Sequence, residues 1–516
     1  MTAQPQGPMS EAIQRLEQAV VAGTIEDIVP EALEETAHNT LWRESSRSEL
    51  TFLKLCPSID THSIRHEYDR IKSFGDDRGN GAFGEDTLPL ETEPQFERVE
   101  TFVRLIGETS STFLLASLEK TIKVDGDTGA DAIARNFLVK NLLMKINRGM
   151  YFMDTSTTRL GASGNRYQGA LQQIREGTDG TVGDASPFGS HVIDMKGLPL
   201  TIENIRTRTA QVVTLYGFLN CLVMDPFARG DLEASMDGSQ RNQLPIGFAP
   251  FFLGQHVGGL QTQGGQMWFH TDNVLGPLYA KGTYRGTAMR GAPTGAPSLP
   301  AAPTVNTTPT GANVSSWDAA SAGNVFYLIT EIKNERESLG ARTPTAGTVA
   351  VTDGDEVEIA ATPSDPLSDA FKVYRGVQGD ADTDAWCIFE VANSGGGGPV
   401  TIYDLNDDRP GTGYAFAFNI RSESTEFLHN PEASGTRGSY AQAVEESANF
   451  LSMPDNPQNT VTRVNLGPAM GVMQLAALLA QTSRPLLYSA MAMQVRNARQ
   501  NVVFKNIGST SNPMTP

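Results

Sequence analysis

This chain lacks three features that would place it in a secreted, membrane or zinc-binding class. Its three cysteines, Cys56, Cys221 and Cys387, lie far apart and form no C-x-x-C pair. An odd, scattered set is neither a disulfide framework nor a zinc site, so synthesis in a reducing compartment is expected. The opening stretch MTAQPQGPMSEAIQRLEQAV has neither the basic start nor the apolar run of a secretion signal. No run approaches the ~18 apolar residues of a membrane span, and a soluble protein is expected. Basic charge is scarce too: 40 Lys and Arg stand against 59 Asp and Glu, a net charge of −19. That balance argues against a surface made to grip phosphates and suits copies that must not associate carelessly. At 516 residues, length does not limit the core; two or three domains are expected, at roughly 100–200 residues each.

Catalytic motifs are equally sparse. GNGAFG, residues 79–84, fits G-x-G-x-x-G, but Asp76, Asp77 and Glu85 surround it and TLPLETEP follows. A dinucleotide loop must end a buried strand and open a helix, so this stretch reads as a mobile hairpin tip. Only His62 and His66 of the seven histidines are close, and on one strand they would stand ~13 Å apart, too far for one metal. No G-x-S-x-G elbow occurs. Asp76–Asp77 and Asp407–Asp408 sit in loop-like segments and read as solvated turn residues. No catalytic, cofactor-binding or metal residue is assigned, and no cofactor is expected.

What is present has a clear order. SEAIQRLEQAVVAG reads as a short helix with Ser10 as N-cap and Ile13, Leu16 and Val20 on one face; lying ahead of any core, it is an arm that docks elsewhere. HSIRHEYDRIKSF and FERVETFVRLIGE alternate on either side of a polar, turn-rich segment, the pattern of a long hairpin that cannot bury itself. In ADAIARNFLVKNLLMKINRGMYFMD, Leu138, Leu142, Ile146, Met150 and Met153 recur at helical spacing, with Lys140, Lys145 and Arg148 off that stripe. A second helix follows in GLPLTIENIRTRTAQVVTLYG, capped by Thr201, striped by Ile202, Ile205, Val212 and Tyr216, and ended by Gly217. FLNCLVM reads as a buried strand, and Asp225–Pro226 as the start of a further helix.

GAPTGAPSLPAAP, residues 291–303, reads as a linker and boundary. Beyond it VFYLITEI, EVEIAA, FKVYRG, WCIFEVA, VTIYDL and YAFAFNI make about six strands in ~120 residues, what a small antiparallel sandwich needs. In AFKVYRG, Phe371 and Val373 point one way and Lys372 and Tyr374 the other. Nearer the end, GPAMGVMQLAALLAQ is an apolar helix candidate and LLYSAMAMQVRNARQNVVFKNIG two buried strands.

This order resembles the major capsid proteins of tailed bacteriophages, which share the Hong Kong 97-type fold. NFLVKNLLMKINRGMYFMD looks like the family's spine helix after its E-loop hairpin. VIDMKGLPLTIENIRTRTAQVVTLYG with CLVMDPFARGDLEA looks like the passage into the axial domain, and RPLLYSAMAMQVRNARQNVVFKNIG like the closing strands. AFKVYRG and DAWCIFEVANSGGGGPVTIYDLNDDRPGTG are similar to the fibronectin-III or immunoglobulin-like insertion of a subset of these proteins.

The resemblance implies an α+β capsid fold, divided into an arm (1–57), an E-loop hairpin (58–120), a peripheral domain with the spine helix (121–214) and an axial domain (215–297). An inserted all-β immunoglobulin-like sandwich (298–422) and a return to the axial and peripheral domains (423–516) complete it. It implies a non-enzymatic subunit of pentamers and hexamers forming an icosahedral virion head around double-stranded DNA, held without sequence specificity. Synthesis would be in the bacterial cytoplasm, with scaffolding, portal and decoration proteins as partners and no membrane. The expected intersubunit contacts are Ile13, Leu16 and Val20 on the arm, and Arg65, Arg70, Gly79, Gly81, Gly84 and Arg98 on the hairpin. Lys72 alone predicts no cross-link. The rival readings are an encapsulin-like compartment shell and a surface adhesion or carbohydrate-binding protein.

Overall fold

The computed structural model describes residues 50–73, 95–109, 112–113, 123–124, 127–128, 130–155, 166–178, 189–215, 219–236, 258–262, 265–276, 296–309, 315–333, 336–393, 397–420, 461–467, 471–474, 482–483 and 485–509. At its centre is a six-stranded mixed sheet in the spatial order Gly259–Thr262, Gly265–Thr271, Cys221–Met224, Gly413–Phe418, Val502–Ile507, Val192–Asp194. Its inner strands are apolar at consecutive positions because both faces are covered, which favours continuous runs over alternation. The two-residue period divides each run between two cores. Cys221, Val223, Phe416, Phe418 and Val503 face one; Leu222, Met224, Ala415, Ala417, Val502 and Phe504 face the other.

The first core lies between that sheet, the long helix Ala130–Phe152 and a five-stranded sheet. Pro485–Val495 is the backbone of the five-stranded sheet. It pairs antiparallel with Val461–Leu466, Gly471–Gln474 and Arg104–Thr109, while Ser58–Thr61 runs parallel to Val461–Leu466. The expected stripe of the long helix is the buried one: Leu138, Leu142, Ile146 and Met150 are all in the core, and Met153 packs half-buried at its edge. The second core is closed by helices Ile202–Leu215 and Pro226–Ser235. The Thr201 hydroxyl accepts from the Asn204 N–H at 3.3 Å, and the Asp225 carboxylate from the Phe227 N–H at 3.2 Å, so both expected caps form. Tyr216 and Gly217 lie outside the described residues.

Two further sheets make a sandwich. One has three strands, Ala301–Pro309, Asp355–Thr362 and Val400–Asp404. The other is built on Gly323–Lys333, Ala370–Val377 and Trp386–Ala392, with short partners Arg336–Glu337, Ala341–Thr343 and Val349–Val351. Val357, Ile359 and Ile402 from the first sheet and Tyr327, Ile329, Phe371 and Val373 from the second fill the space between them. Tyr374 points the opposite way, as its alternation with Val373 requires, yet is fully buried in a small outer cluster with Phe326, Leu328, Ala385 and Cys387. At the end of the sandwich Arg375 Nη1 donates to Asp404 Oδ2 at 2.6 Å and Tyr327 donates to the same oxygen at 2.8 Å. The guanidinium also lies 4.5 Å from the Trp317 ring centre.

Several expectations are corrected. YAFAFNI, expected as the last strand of the sandwich, pairs with Cys221–Met224 and Val502–Ile507 in the central sheet instead. An apolar run cannot announce which of two cores it joins. Within GPAMGVMQLAALLAQ, expected as a helix, Gly471–Gln474 is a strand, because the edge of Pro485–Val495 offers unpaired backbone there. A Cβ at Gly471 would stand 2.5 Å from the Tyr488 ring, so the glycine lets that ring lie across the strand. The linker ends early, since a strand begins at Ala301. Only His66 of the histidine pair lies on a strand, which starts at Arg65. The ends of the expected hairpin unit, Ser58–Thr61 and Arg104–Thr109, belong to the five-stranded sheet. The close of the expected arm is also part of the body: helix Thr51–Leu55 buries Phe52 with its ring 4.4 Å from Tyr151 and 4.8 Å from Phe418.

Two stability predictions follow from these contacts. Phe52→Ala removes a fully buried ring and is expected to cost about 3–5 kcal/mol in chemical denaturation. Asp404→Ala strands the buried Arg375 charge, with an expected loss of about 3–5 kcal/mol in the same measurement.

Candidate functional site

Arg65–Ser73 and Gln95–Phe102 form a ribbon, a two-stranded antiparallel sheet of its own and the longest such sheet among the described residues. Its register sets Glu67 directly opposite Glu100 and Asp69 opposite Arg98. Like charges facing each other across a ladder repel, and two arginines offset this. Arg65 pairs with Glu67 at 2.9 Å and with Glu100; Arg98 pairs with Asp69 at 2.9 Å and reaches Glu67 at 3.8 Å. The hydrogen bond from Arg98 holds the Asp69 carboxyl below the usual range. Arg98 keeps 67% of its side-chain surface exposed, so solvent screens these pairs and they add little to stability.

The base of the ribbon rests on the body, where the Tyr68 hydroxyl donates to the Val495 carbonyl at 3.3 Å. Burial and then the nearby Arg496 charge lower the pKa of His66. Of the expected contact residues, Arg65 and Arg98 are thus brought together around Glu67, and Arg70 stands opposite Glu97 in the ladder. Ile13, Leu16, Val20, Gly79, Gly81 and Gly84 lie outside the described residues. The five-stranded sheet exposes large apolar side chains: Leu105, just past the ribbon's end at Phe102, at 71%, and Val472 and Met473 on strand Gly471–Gln474 at 68% and 51%.

A second set of polar groups lies between the two cores, of which the sequence reading gave Asp225 only as a helix cap and did not single out Asp272. Asp225 and Asp272 follow the adjacent parallel strands Cys221–Met224 and Gly265–Thr271. Asp272 Oδ2 accepts from Asn147 Nδ2 at 2.8 Å, the Tyr151 hydroxyl at 3.1 Å and the Phe52 N–H at 3.4 Å; Oδ1 accepts from the Val274 N–H at 3.1 Å. Burial raises its pKa to about 6, with those donors pulling the other way. Burial likewise raises Asp225 to about 7, opposed by the Phe227 and Ala228 N–H groups. A raised carboxylate pair is the usual mark of acid–base chemistry. Here both are sealed from solvent and occupied, one as a helix cap and the other as the junction of three elements. The available signals in the sequence were Asp225 before Pro226 and Asn147, an amide next to Ile146 of the apolar stripe, which the structure buries.

Nucleophile and metal chemistry find little support. Cys56, Cys221 and Cys387 are free and buried, and burial pushes the Cys56 thiol up to about 12, which keeps it from the reactive thiolate form. Among the described residues no group of three or more His, Cys, Asp or Glu could hold a metal, and no helix is long and apolar enough to cross a membrane.

No family profile and no curated protein matches the chain. Among solved structures it is similar to the capsid of a native GTA particle, at 8% identity and TM-score 0.36, over 94% of this chain and 98% of the other. It is also similar to the phage G major capsid and decoration proteins, at 6% and 0.35 over 98% and 100%. A third likeness is to the SrpI encapsulin complex of Synechococcus elongatus PCC 7942, at 6% and 0.32 over 92% and 93%. All three scores lie below 0.5.

The buried Asp272 makes a pH prediction. Its pKa in the fold, about 6, lies above the roughly 4 of an unfolded carboxyl. The stability it contributes is therefore fully present below about pH 4 and is lost as pH rises through about 6. Asp272→Asn should remove a contribution on the order of 2 kcal/mol to the difference in denaturation free energy between pH 4 and pH 7, leaving a flatter profile.

Proposed function

We propose that this protein is a non-enzymatic shell subunit, the major capsid protein of a tailed phage, which closes into an icosahedral head of pentamers and hexamers around double-stranded DNA. The observation that carries the reading is the ribbon Arg65–Phe102. It is a two-stranded sheet held by screened ion pairs, of a kind only marginally stable alone. Such an element gains cover from another copy, and the exposed Leu105 next to it and Val472 and Met473 elsewhere on the five-stranded sheet offer apolar surface of the kind that interfaces bury. Head-to-tail contacts of this sort close into rings or shells when their rotations close.

The order of elements supports the same reading: ribbon, long helix, mixed sheet, inserted sandwich, and return to both sheets. In this reading the sandwich is an immunoglobulin-like module displayed on the outer surface, and the protein resides in the virion. Scaffolding, portal and decoration proteins are its further partners, and the packaged DNA lies against the inner face. An encapsulin-like shell, which encloses protein cargo instead, is the second reading.

Electron microscopy of the protein expressed in bacteria is the test. Uniform closed particles are expected, and nuclease-protected DNA in particles from the complete virus separates a phage head from a cargo compartment. Monomers or dimers under every assembly condition would overturn the proposal. In this reading residues 1–49 are an arm that docks on another copy, so their removal is expected to abolish particles while leaving the denaturation midpoint of the isolated subunit unchanged.

A further inference from the structure

An inserted domain is usually joined to its host by flexible chain in which few contacts cross. The exit from this sandwich is different. The last sandwich strand ends at Asp404 and the central sheet resumes at Gly413, and the residues between them are bound to both bodies.

On the sandwich side Asn406 is fully buried with φ +60°. Its N–H donates to Asp404 Oδ1 at 2.9 Å, and its Oδ1 accepts from Arg375 Nη2 at 2.7 Å. Its Nδ2 donates to the Ser316 carbonyl at 3.2 Å and to Ser321 Oγ at 3.0 Å. Asp407 Oδ1 accepts from Ser316 Oγ at 3.1 Å.

On the sheet side a second asparagine, Asn506, is also fully buried and left-handed, with φ +55°. Its Nδ2 donates to the Asp407 carbonyl at 2.9 Å and to Asp194 Oδ1 at 3.0 Å. Its Oδ1 accepts from the Arg409 N–H at 2.8 Å and the Thr412 hydroxyl at 3.2 Å. Lys505 Nζ donates to the same Asp407 carbonyl at 3.0 Å. Arg409 then spans the gap: Nη2 donates to Asp318 of the sandwich at 3.2 Å and Nη1 to the Lys196 carbonyl at 3.1 Å. A separate ion pair, Arg166 to Glu390 at 3.1 Å, joins the sandwich to the body through another strand.

The two asparagines suit this task for one reason. A left-handed backbone turns the chain sharply, and asparagine tolerates it better than other residues with a side chain. The Asn406 amide then binds the exit segment into the sandwich through Arg375, Ser316 and Ser321, and the Asn506 amide binds the same segment to the central sheet through Asp407, Arg409, Thr412 and Asp194. Breaking one bond would leave buried polar groups unpaired, so the set holds or fails together.

We infer that Asp404–Gly413 is a rigid coupling and not a tether: Asn406 and Asn506 clamp the sandwich to strands Val502–Ile507 and Val192–Asp194, so that it keeps one orientation on the body and moves only with that sheet. The inference stands whether or not the chain assembles. In a shell, any shift of those strands would turn the displayed module with them.

The test is a distance distribution between spin labels at Thr401→Cys on the sandwich and Glu203→Cys on the body, both exposed, in the full-length chain. The three native cysteines are buried and should stay unlabelled. Labelled chain is diluted into unlabelled chain to suppress distances between copies. A single narrow distribution is expected, broadening at least about twofold in Asn506→Gly, which keeps the backbone freedom and deletes the amide. Arg409→Ala is expected to broaden it in the same direction, and serves alone if Asn506→Gly fails to fold. A broad or multiple distribution in the unaltered chain would overturn the coupling. So would widths unchanged in every variant that folds.

Discussion

Among the described residues, the three middle strands of the central sheet have no wet face. Every inner strand must place alternate side chains in two different cores, so a one-residue slip would exchange the occupants of both. Cys221–Met224, Gly413–Phe418 and Val502–Ile507 come from three distant parts of the chain. The body therefore cannot close until the sandwich lying between the first two has been passed and the last has returned. The sandwich is in this sense an excursion from a sheet that its flanks complete.

Polar groups decide where that architecture bends. Asp272 accepts from the long helix, from helix Thr51–Leu55 and from its own turn, which holds the start of the described chain against the core. A charged carboxylate there carries a desolvation cost that its four neutral donors only partly offset, and this is why its pKa rises. In the sandwich, Asp404 and Arg375 neutralise each other and share Tyr327, Trp317 and Asn406 as neighbours. Asn406 also continues this network into the exit segment, so the ionic centre of one domain and the attachment to the next are parts of one structure.

The ribbon follows the opposite logic. Its ladder slips once between Ile71 and Ser73 and sets Glu67 against Glu100, and the arginines that offset those carboxylates are exposed. Ion pairs in water steer and align more than they stabilise.

Helix periodicity, both N-caps, the ribbon and most strands could be read directly from residue order, because each depends on neighbours within a few positions. Leu138, Leu142, Ile146 and Met150 lie one turn apart, and their burial needed no knowledge of the partner. Where the sequence reading erred, the deciding contact was remote. YAFAF has the same apolar character as a sandwich strand, and only pairing with residues 221–224 and 502–507 assigned it elsewhere. GVMQ became a strand because Pro485–Val495 had a free edge beside it. Asn406 and Asn506, one hundred positions apart, look like ordinary turn residues until the fold sets the Asn506 amide against the Asp407 carbonyl. Local spacing sets what a segment can form; which surface is left for it is settled only when distant segments meet.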